Sequence, residues 1–185
     1  MLKLDIHANR QEQKYSSRVL LLRVCWSLGR CIFRLTPRPC FGIRRMILRV
    51  FGAKVGKNTH IYPSVYIYFP WNFEIGDDSA VGEWAFIYSL GQITIGERVT
   101  ISQRAHLCAG SHDFTSPSLP LLKPPIVIGD EVWVCADAYI GPGVTIGRGV
   151  VIGARSVVIR DVGPDLVVAG NPAVIIKRRV IIDTK

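Results

Sequence analysis

The sequence predicts an all-β solenoid, a parallel β-helix of about five coils, with an N-terminal helical segment before it and a short C-terminal tail after it. Aliphatic residues recur every six positions from Val55 to Val158, and glycine often follows them. The first 50 residues lack this repeat and interleave arginines with apolar residues instead. We therefore divide the chain into 1–50, a basic amphipathic helical segment; 51–163, a β-helix with a loop inserted at 113–127; and 164–185, the tail.

The N-terminal segment carries the positive charge. The formal net charge is +9, and residues 1–54 hold 12 Lys and Arg against two acidic residues, so the remainder is nearly neutral. Between Tyr15 and Val50 the arginines alternate with Leu, Val, Trp and Phe, which is typical of an amphipathic helix. Two interpretations stay open: a helical cap that buries its apolar stripe on its own domain, and a segment that rests on anionic lipid. Nucleic acid is not expected as a partner, because no motif for it accompanies the charge.

Targeting signals and cysteines favour a cytoplasmic protein that lies, at most, peripherally at the inner membrane. The most apolar N-terminal stretch, Val19 to Leu28, is interrupted by Arg23 and is too short to span about 30 Å of hydrocarbon. No small-residue cleavage site follows it. The five cysteines are odd in number and never spaced as CxxC. This usage predicts reduced, mostly buried thiols rather than disulfides or a metal site.

The six-residue repeat is the strongest signal in the sequence. Ile, Val or Leu occupies all 15 leading positions, whereas composition predicts about four or five by chance, and glycine follows in eight of the 15. The leaders are Val55, Ile61, Ile67, Ile75, Val81, Ile87, Ile95, Ile101, Leu107, Ile128, Val134, Ile140, Ile146, Ile152 and Val158. A period of six suits a chain that runs straight, bends and repeats, and three bends close a coil of about 18 residues. We expect the leaders to point inward and to stack at about 4.8 Å.

Three interruptions of the repeat are also informative. Two extra residues occur at Phe73-Glu74 and two at Ile93-Thr94, and the long insertion follows His112. Insertions in a solenoid leave the coil as loops and often carry a functional site. The insertion at 113–127 is therefore the first place to look for chemistry.

Motifs along the repeat resemble those of the hexapeptide-repeat acyltransferases, in the branch of colanic-acid-type exopolysaccharide O-acetyltransferases. They are FGAKVG (51–56), FPWNFEIGDDSAVGE (69–83), ISQRAHLCAGSHD (101–113), VWVCADAYIGPGVTIG (132–147), VIGARSVVIRDV (151–162) and VVAGNPA (167–173). The resemblance covers about residues 45–178. It implies a left-handed β-helix, acetyl transfer from acetyl-CoA to a sugar hydroxyl, and a homotrimer whose sites each lie between two subunits.

The same resemblance implies that one histidine is the general base. A sugar hydroxyl is a poor nucleophile at neutral pH, and a positioned imidazole that removes its proton supplies typically about 10²–10⁴-fold. Of the four histidines, His7 lies in the N-terminal segment, His60 in the first coil, and His106 is expected at a corner or an interface. His112 closes the third coil in Gly-Ser-His-Asp, just before the insertion, and matches the family's catalytic histidine.

Two acidic residues are candidates for binding the acceptor sugar. Asp113 follows the candidate base, where it could bind the acceptor or orient the imidazole; a simple turn-forming Asp is the alternative. Glu83 lies one coil earlier and could also reach the acceptor, although its position favours a solvated corner carboxylate. The sequence does not identify the sugar or the oxyanion donors.

Acetyl-CoA is the co-substrate that the resemblance implies, and no metal is expected. The chain has no phosphate-binding glycine-rich loop, so the family's contacts are transferred by motif. They fall on Trp133, Ala136, Ala154, Ile159 and Arg160 for the pantetheine arm, and on Lys177 and Arg178 for the 3′-phosphate end. The family often has Thr-Lys at 159–160 and a basic residue at 174, where this chain has Ile-Arg and Val.

Three alternatives to this function remain at the level of the sequence. The first is an acetyltransferase for another small sugar or glycoside. The second is a zinc hydration enzyme resembling the gamma-class carbonic anhydrases, which would need His60, His106 and His112 to converge on one ion. The third is a non-catalytic solenoid that serves as an interaction surface.

Overall fold

The structure, a computed structural model, describes residues 3–182. Three helices come first, α1 (Ile6–Gln11), α2 (Ser17–Leu35) and α3 (Phe41–Val50). The strands are β1 (Lys54–Val55), β2 (His60–Ile61), β3 (Tyr66–Ile67), β4 (Phe73–Ile75), β5 (Ala80–Val81), β6 (Phe86–Tyr88), β7 (Ile93–Ile95), β8 (Thr100–Ile101), β9 (His106–Cys108), β10 (Ser111–His112), β11 (Leu121–Leu122), β12 (Ile126–Ile128), β13 (Trp133–Val134), β14 (Tyr139–Ile140), β15 (Thr145–Ile146), β16 (Val151–Ile152), β17 (Val157–Val158), β18 (Leu166–Gly170) and β19 (Ala173–Arg178).

The strands of the coils stack in parallel into three sheets, as predicted for a β-solenoid, and β19 adds one antiparallel strand at the end of the second sheet. The first sheet has the order β1-β4-β7-β12-β15, the second β2-β5-β8-β13-β16-β18-β19, and the third β3-β6-β9-β14-β17. Five complete coils result, and Val162, which bridges to Ile146, begins an incomplete sixth. The sheets meet at three edges: the first edge joins the first sheet to the second (56–59 in the first coil), the second edge joins the second to the third (62–65), and the third edge leads from the third sheet into the next coil (68–72).

The aliphatic ladders form the core. All 15 leading residues are buried, and none is more than 7% exposed, which confirms the inward direction predicted for them. At the first edge, the residue three positions after the leader has a left-handed φ in every coil; these residues are Asn58, Asp78, Arg98, Glu131, Gly149 and Asp165. The position after the leader is often glycine because these turns stack closely on one another. A Cβ at Gly76 would lie 2.8 Å from backbone atoms of Gly96 and Glu97 in the next coil.

The two short insertions are placed differently from the prediction. Phe73-Glu74 and Ile93-Thr94 are not the inserted residues, because they belong to β4 and β7 and pair in register with each other. The added length lies instead at the third edge, at 68–72 and 89–92. The paired strands keep their hydrogen-bond register, and the unpaired turn absorbs the extra residues.

The N-terminal helices close the first coil. Trp26 and Phe33 of α2 and Leu48 of α3 are buried, and the Trp26 indole donates to the carbonyl of Ile67 at 3.0 Å. Arg44 is fully buried and donates to four backbone carbonyls, at distances of 2.6 to 3.4 Å. One face of the segment therefore caps the solenoid. No helix in residues 3–182 is long and apolar enough to cross a bilayer.

The C-terminal segment is more regular than the predicted tail. Strands β18 and β19 form an antiparallel hairpin, and β18 extends the second sheet by pairing with β16. Aliphatic residues, several of them β-branched, run from Leu166 to Ile176 on both sides of the turn and suit strand pairing. The last coils thus end in an ordered hairpin, and residues 183–185 of the predicted tail lie outside the described residues.

Candidate active site

The long insertion leaves the solenoid at the third edge of the third coil. It begins as a small antiparallel ladder, in which β10 pairs with β11 and His112 faces Leu121. Its tip is held by backbone hydrogen bonds, among them Asp113 N–H to the Pro120 carbonyl at 3.0 Å and Leu119 N–H to the Ser116 carbonyl at 3.0 Å. The insertion is therefore a structured hairpin, and the side chain of His112 lies at its base.

His112 is exposed at the start of this hairpin. Its Nδ1 lies 2.7 Å from the carbonyl oxygen of Leu119, a residue with a left-handed φ of +46°. A carbonyl can only accept, so Nδ1 carries the proton in the neutral ring and Nε2 keeps a free lone pair. This is the tautomer that a general base acting through Nε2 needs.

The Leu119 carbonyl is held from a second side by the N-terminal segment. The Asn9 amide of α1 donates to the carbonyls of Ser118, at 2.6 Å, and Leu119, at 2.7 Å. Lys14 donates to the Asn9 side-chain oxygen at 2.6 Å, which leaves the amide nitrogen facing the loop. Sequence reasoning missed both Asn9 and Leu119, because a backbone carbonyl has no side-chain signature and Asn9 lies outside the repeat.

Asp113 is part of a turn within the hairpin. Its Oδ1 accepts from the Thr115 hydroxyl at 2.6 Å and from the Thr115 N–H at 2.9 Å. The hydroxyl bond is the main reason that the pKa of this carboxyl lies below its ordinary value, and the N–H bond adds to it. Asp113 is thus an anion beside His112, and its contact with an acceptor stays a prediction.

The remaining predicted residues do not gather around His112 within one chain. Glu83 lies at the second edge, where Arg38 forms an exposed ion pair with it at 3.5 Å. Ala136 and Ala154 follow it along the same edge, and Trp133 lies on the outer face of the second sheet, where its indole donates to the Ser102 hydroxyl at 3.0 Å. His112 lies at the third edge, away from all of these residues.

The third edge carries a cavity two coils beyond His112, about 10 Å away at the usual spacing of stacked strands. The cavity holds about 360 Å³ and is mainly apolar, between the turn after β17 and the β18–β19 hairpin. Ile159 and Arg160 line it, as do Val174 and Ile175. Lys177 and Arg178 lie farther along β19, beyond the lining residues.

The other histidines are packed or peripheral. His60 stacks on Phe41 with ring centroids 4.2 Å apart, and His106 lies within β9, not at a corner, between the rings of Phe86 and Tyr139. Burial lowers the pKa of His106. Within residues 3–182, no three His, Cys, Asp or Glu side chains come together as a metal site, so His60, His106 and His112 do not converge.

The cysteines differ from the prediction in their burial. All five are unpaired thiols, but none is buried, and two of them, Cys25 and Cys31, are exposed on α2. For Cys25 and Cys31 the reason is that α2 is apolar on both faces, so apolar sequence neighbours do not indicate burial there.

Comparisons with known proteins show which family the chain resembles. A sequence model described as "Bacterial transferase hexapeptide (six repeats)" matches residues 125–160. The chain is 45% identical, over 86% of its length and 87% of the relative, to WcaF of Escherichia coli K12, provisionally named a colanic acid biosynthesis acetyltransferase.

Two solved structures are similar in fold. One is a hexapeptide-repeat acetyltransferase from Vibrio cholerae, VCA0836, in complex with acetyl-CoA: TM-score 0.83, 26% identity, 91% of this chain and 93% of that chain. The other is a galactoside acetyltransferase in complex with coenzyme A: TM-score 0.82, 28% identity, 94% of this chain and 88% of that chain.

Proposed function

The chain belongs to the hexapeptide-repeat acetyltransferases, and from that premise we propose that it transfers the acetyl group of acetyl-CoA to a sugar hydroxyl in exopolysaccharide biosynthesis of the colanic-acid type, with His112 as the general base. The observation that carries the proposal is the hydrogen bond from His112 Nδ1 to the Leu119 carbonyl. It leaves Nε2 as an exposed proton acceptor at the base of the inserted hairpin.

The chemistry follows from that lone pair. Nε2 removes the proton of the acceptor hydroxyl while the oxygen attacks the thioester carbonyl carbon. The tetrahedral intermediate then expels the CoA sulfur as the carbon–sulfur bond breaks, and the imidazolium returns its proton to that sulfur. The Leu119 carbonyl also stabilises the imidazolium between these steps, because Nδ1 remains a donor throughout.

Acetyl-CoA is proposed to lie along the third edge. The thioester would lie at His112, and the pantetheine arm would pass the turn at 141–143 toward the cavity beside Ile159 and Arg160. Arg160 is exposed and supplies a cation for the phosphates, with Lys177 and Arg178 farther along β19. The acetyl-CoA and coenzyme A named in the two similar structures support this ligand.

A homotrimer would bring the second edge of one subunit close to the third edge of its neighbour. Trp133, Ala136 and Ala154 are separated from His112 in one chain, so they can complete its site only from a neighbouring subunit. Glu83, on the same edge as Ala154, would reach the acceptor in the same way, whereas Asp113 would reach it from the subunit that supplies the base.

The acceptor class rests on the relatives. The identity to WcaF favours an exopolysaccharide unit, and the similarity to the galactoside acetyltransferase favours, as the second candidate, a small sugar or glycoside. The same site chemistry would serve either acceptor.

The test is acetyl-CoA turnover, followed by thiol release, against bacterial exopolysaccharide repeat units and simple sugars. His112→Ala is expected to lose about 10²- to 10⁴-fold in kcat, while His7→Ala, a matched change at an exposed histidine, should retain activity. Full activity of His112→Ala would exclude it as the base. A protein that does not bind CoA at all would instead be a non-catalytic solenoid.

A further inference from the structure

Helix α2 has an outer apolar face that no part of the described chain covers. Its inner face packs on the solenoid through Trp26, Gly29 and Phe33. At 3.6 residues per turn, six aliphatic residues occupy the opposite side, and they are 48 to 83% exposed. These residues, the outer face of α2, are Leu20, Leu21, Val24, Leu28, Ile32 and Leu35. An ordinary capping helix would place polar residues there.

Cations flank this outer face, and acids are absent. On the helical projection, Arg18 lies on one flank and Arg34 on the other, whereas Arg23 and Arg30 lie closer to the inner face, over aromatic rings of the same chain. None of these four arginines forms an ion pair in residues 3–182. No acidic residue occurs at any position from 13 to 73. The face is therefore apolar in its centre and uniformly positive at its margins.

We propose that the outer face of α2 binds the surface of an anionic lipid bilayer. An apolar face flanked by arginines suits the boundary between headgroups and acyl chains, where the side chains can reach the phosphates. A second copy of the same face is a poorer partner, because it would bring arginines against arginines with no acid to compensate. This inference does not depend on the proposed acetyl transfer.

The test is cosedimentation of the full-length protein with vesicles of phosphatidylcholine and phosphatidylglycerol at a ratio of about 7:3, compared with pure phosphatidylcholine. Leu21→Ser/Leu28→Ser should bind the anionic vesicles at least about tenfold more weakly. Val180→Ser/Ile181→Ser, which removes similarly exposed apolar side chains at the other end of the molecule, should bind like the wild type. Both variants should keep the circular dichroism spectrum of the wild type, since these side chains are exposed.

A second variant tests the charge. Arg18→Gln/Arg34→Gln should weaken binding to the anionic vesicles, and raising the salt should weaken wild-type binding, because added ions screen the attraction. Equal binding to both vesicle types would overturn the proposal, as would undiminished binding by the Leu21/Leu28 variant. A change of oligomeric state in that variant, without vesicle binding by the wild type, would assign the face to a second copy instead.

The contacts of Asn9 carry a second, independent inference: we infer that Asn9 is a positioning residue for His112. The Leu119 carbonyl accepts from His112 Nδ1 on one side and from the Asn9 amide on the other. Asp5 N–H also bonds the loop, at the Pro117 carbonyl, with a distance of 2.8 Å. Helix α1 thus fixes the carbonyl that selects the tautomer of the base.

This second inference rests on the proposed function, and its test separates the two. Asn9→Ala should lower kcat about ten- to hundredfold and leave the KM for acetyl-CoA unchanged, because a small displacement of a reacting group is costly while the cofactor contacts are distant. Asn9→Asp has nearly the same shape but cannot donate, so it should fail as Ala does; a residue that only fills space would be rescued by Asp. Gln11→Ala, on the exposed side of α1, is the matched control.

If His112→Ala is inactive and Asn9→Ala or Asn9→Asp keeps the wild-type kcat, the positioning role is wrong and the proposed base stands. If His112→Ala is fully active, the proposed function itself fails.

Discussion

The first and third edges of the solenoid arise from the same repeat but differ in regularity. At the first edge, all six turns use a left-handed residue at the same position, from Asn58 to Asp165. At the third edge, only one turn does, at Gly143, and the others are widened, opened by the insertion or left as the cavity. The coils must stack everywhere, but the third edge departs from the regular turn in most coils, and His112 lies there.

The largest effect is expected when the free energy of unfolding is compared between two isoleucine variants, one in the buried ladder and one at the third edge. Ile101→Ala removes a fully buried side chain from the middle of the stack and should lower the free energy of unfolding by about 2–5 kcal/mol. Ile159→Ala, at a site 57% exposed, should change it by less than about 0.5 kcal/mol and instead weaken CoA binding. Urea denaturation and CoA titration of both variants measure the contrast. A comparable loss of stability in both would erase the distinction between core and edge.

A smaller difference in unfolding free energy is expected between Ala substitutions at two glycines. Gly76→Ala would place a Cβ 2.8 Å from backbone atoms of the next coil, so the unfolding free energy should fall by about 1–3 kcal/mol. Gly163→Ala, whose Cβ would meet nothing closer than a Leu166 methyl at 3.8 Å, is the matched control and should be tolerated. Equal midpoints in urea would show that the turns at the first edge can separate.

The smallest expected effect is a pH dependence at the second edge. The hydrogen bond from Arg104 holds the pKa of Asp137 below its ordinary value of 3.8. Because the folded pKa is the lower one, this pair stabilises the fold above pH 3.8 and loses that contribution as the pH falls through the folded pKa. Asp137→Asn should therefore lose slightly less Tm than the wild type between about pH 5 and pH 2.5. An identical fall would mean that solvent screens the pair completely.

The solenoid could be predicted from the sequence because its buried positions recur every six residues. Each leader from Val55 to Val158 lies in the core, and a six-residue period reports that directly. The two-residue insertions were misplaced at 73–74 and 93–94, because the repeat reveals that residues are added but not whether a strand or its turn receives them. The predicted tail became a hairpin, because pairing of β18 with β16 depends on the stack rather than on the local sequence.

The candidate site was predictable only in part. The insertion and the motif marked His112, but the carbonyl of Leu119 and the amide of Asn9 come from segments more than 100 residues apart, and no periodic pattern relates them. The separation of Glu83 and Ala154 from His112 depends on which edge each turn occupies. Such placement follows from the closed coil, which a linear repeat does not display.

The most direct test of the account is the tautomer of His112, measured by nitrogen-15 NMR of the histidine-labelled protein at a pH where the ring is neutral. His112→Ala identifies the signal. The account predicts a proton on Nδ1 and none on Nε2, because the Leu119 carbonyl can only accept. A neutral ring with its proton on Nε2 and a bare Nδ1 would contradict it, since that ring could neither hold the carbonyl nor take the proton of an acceptor hydroxyl through Nε2.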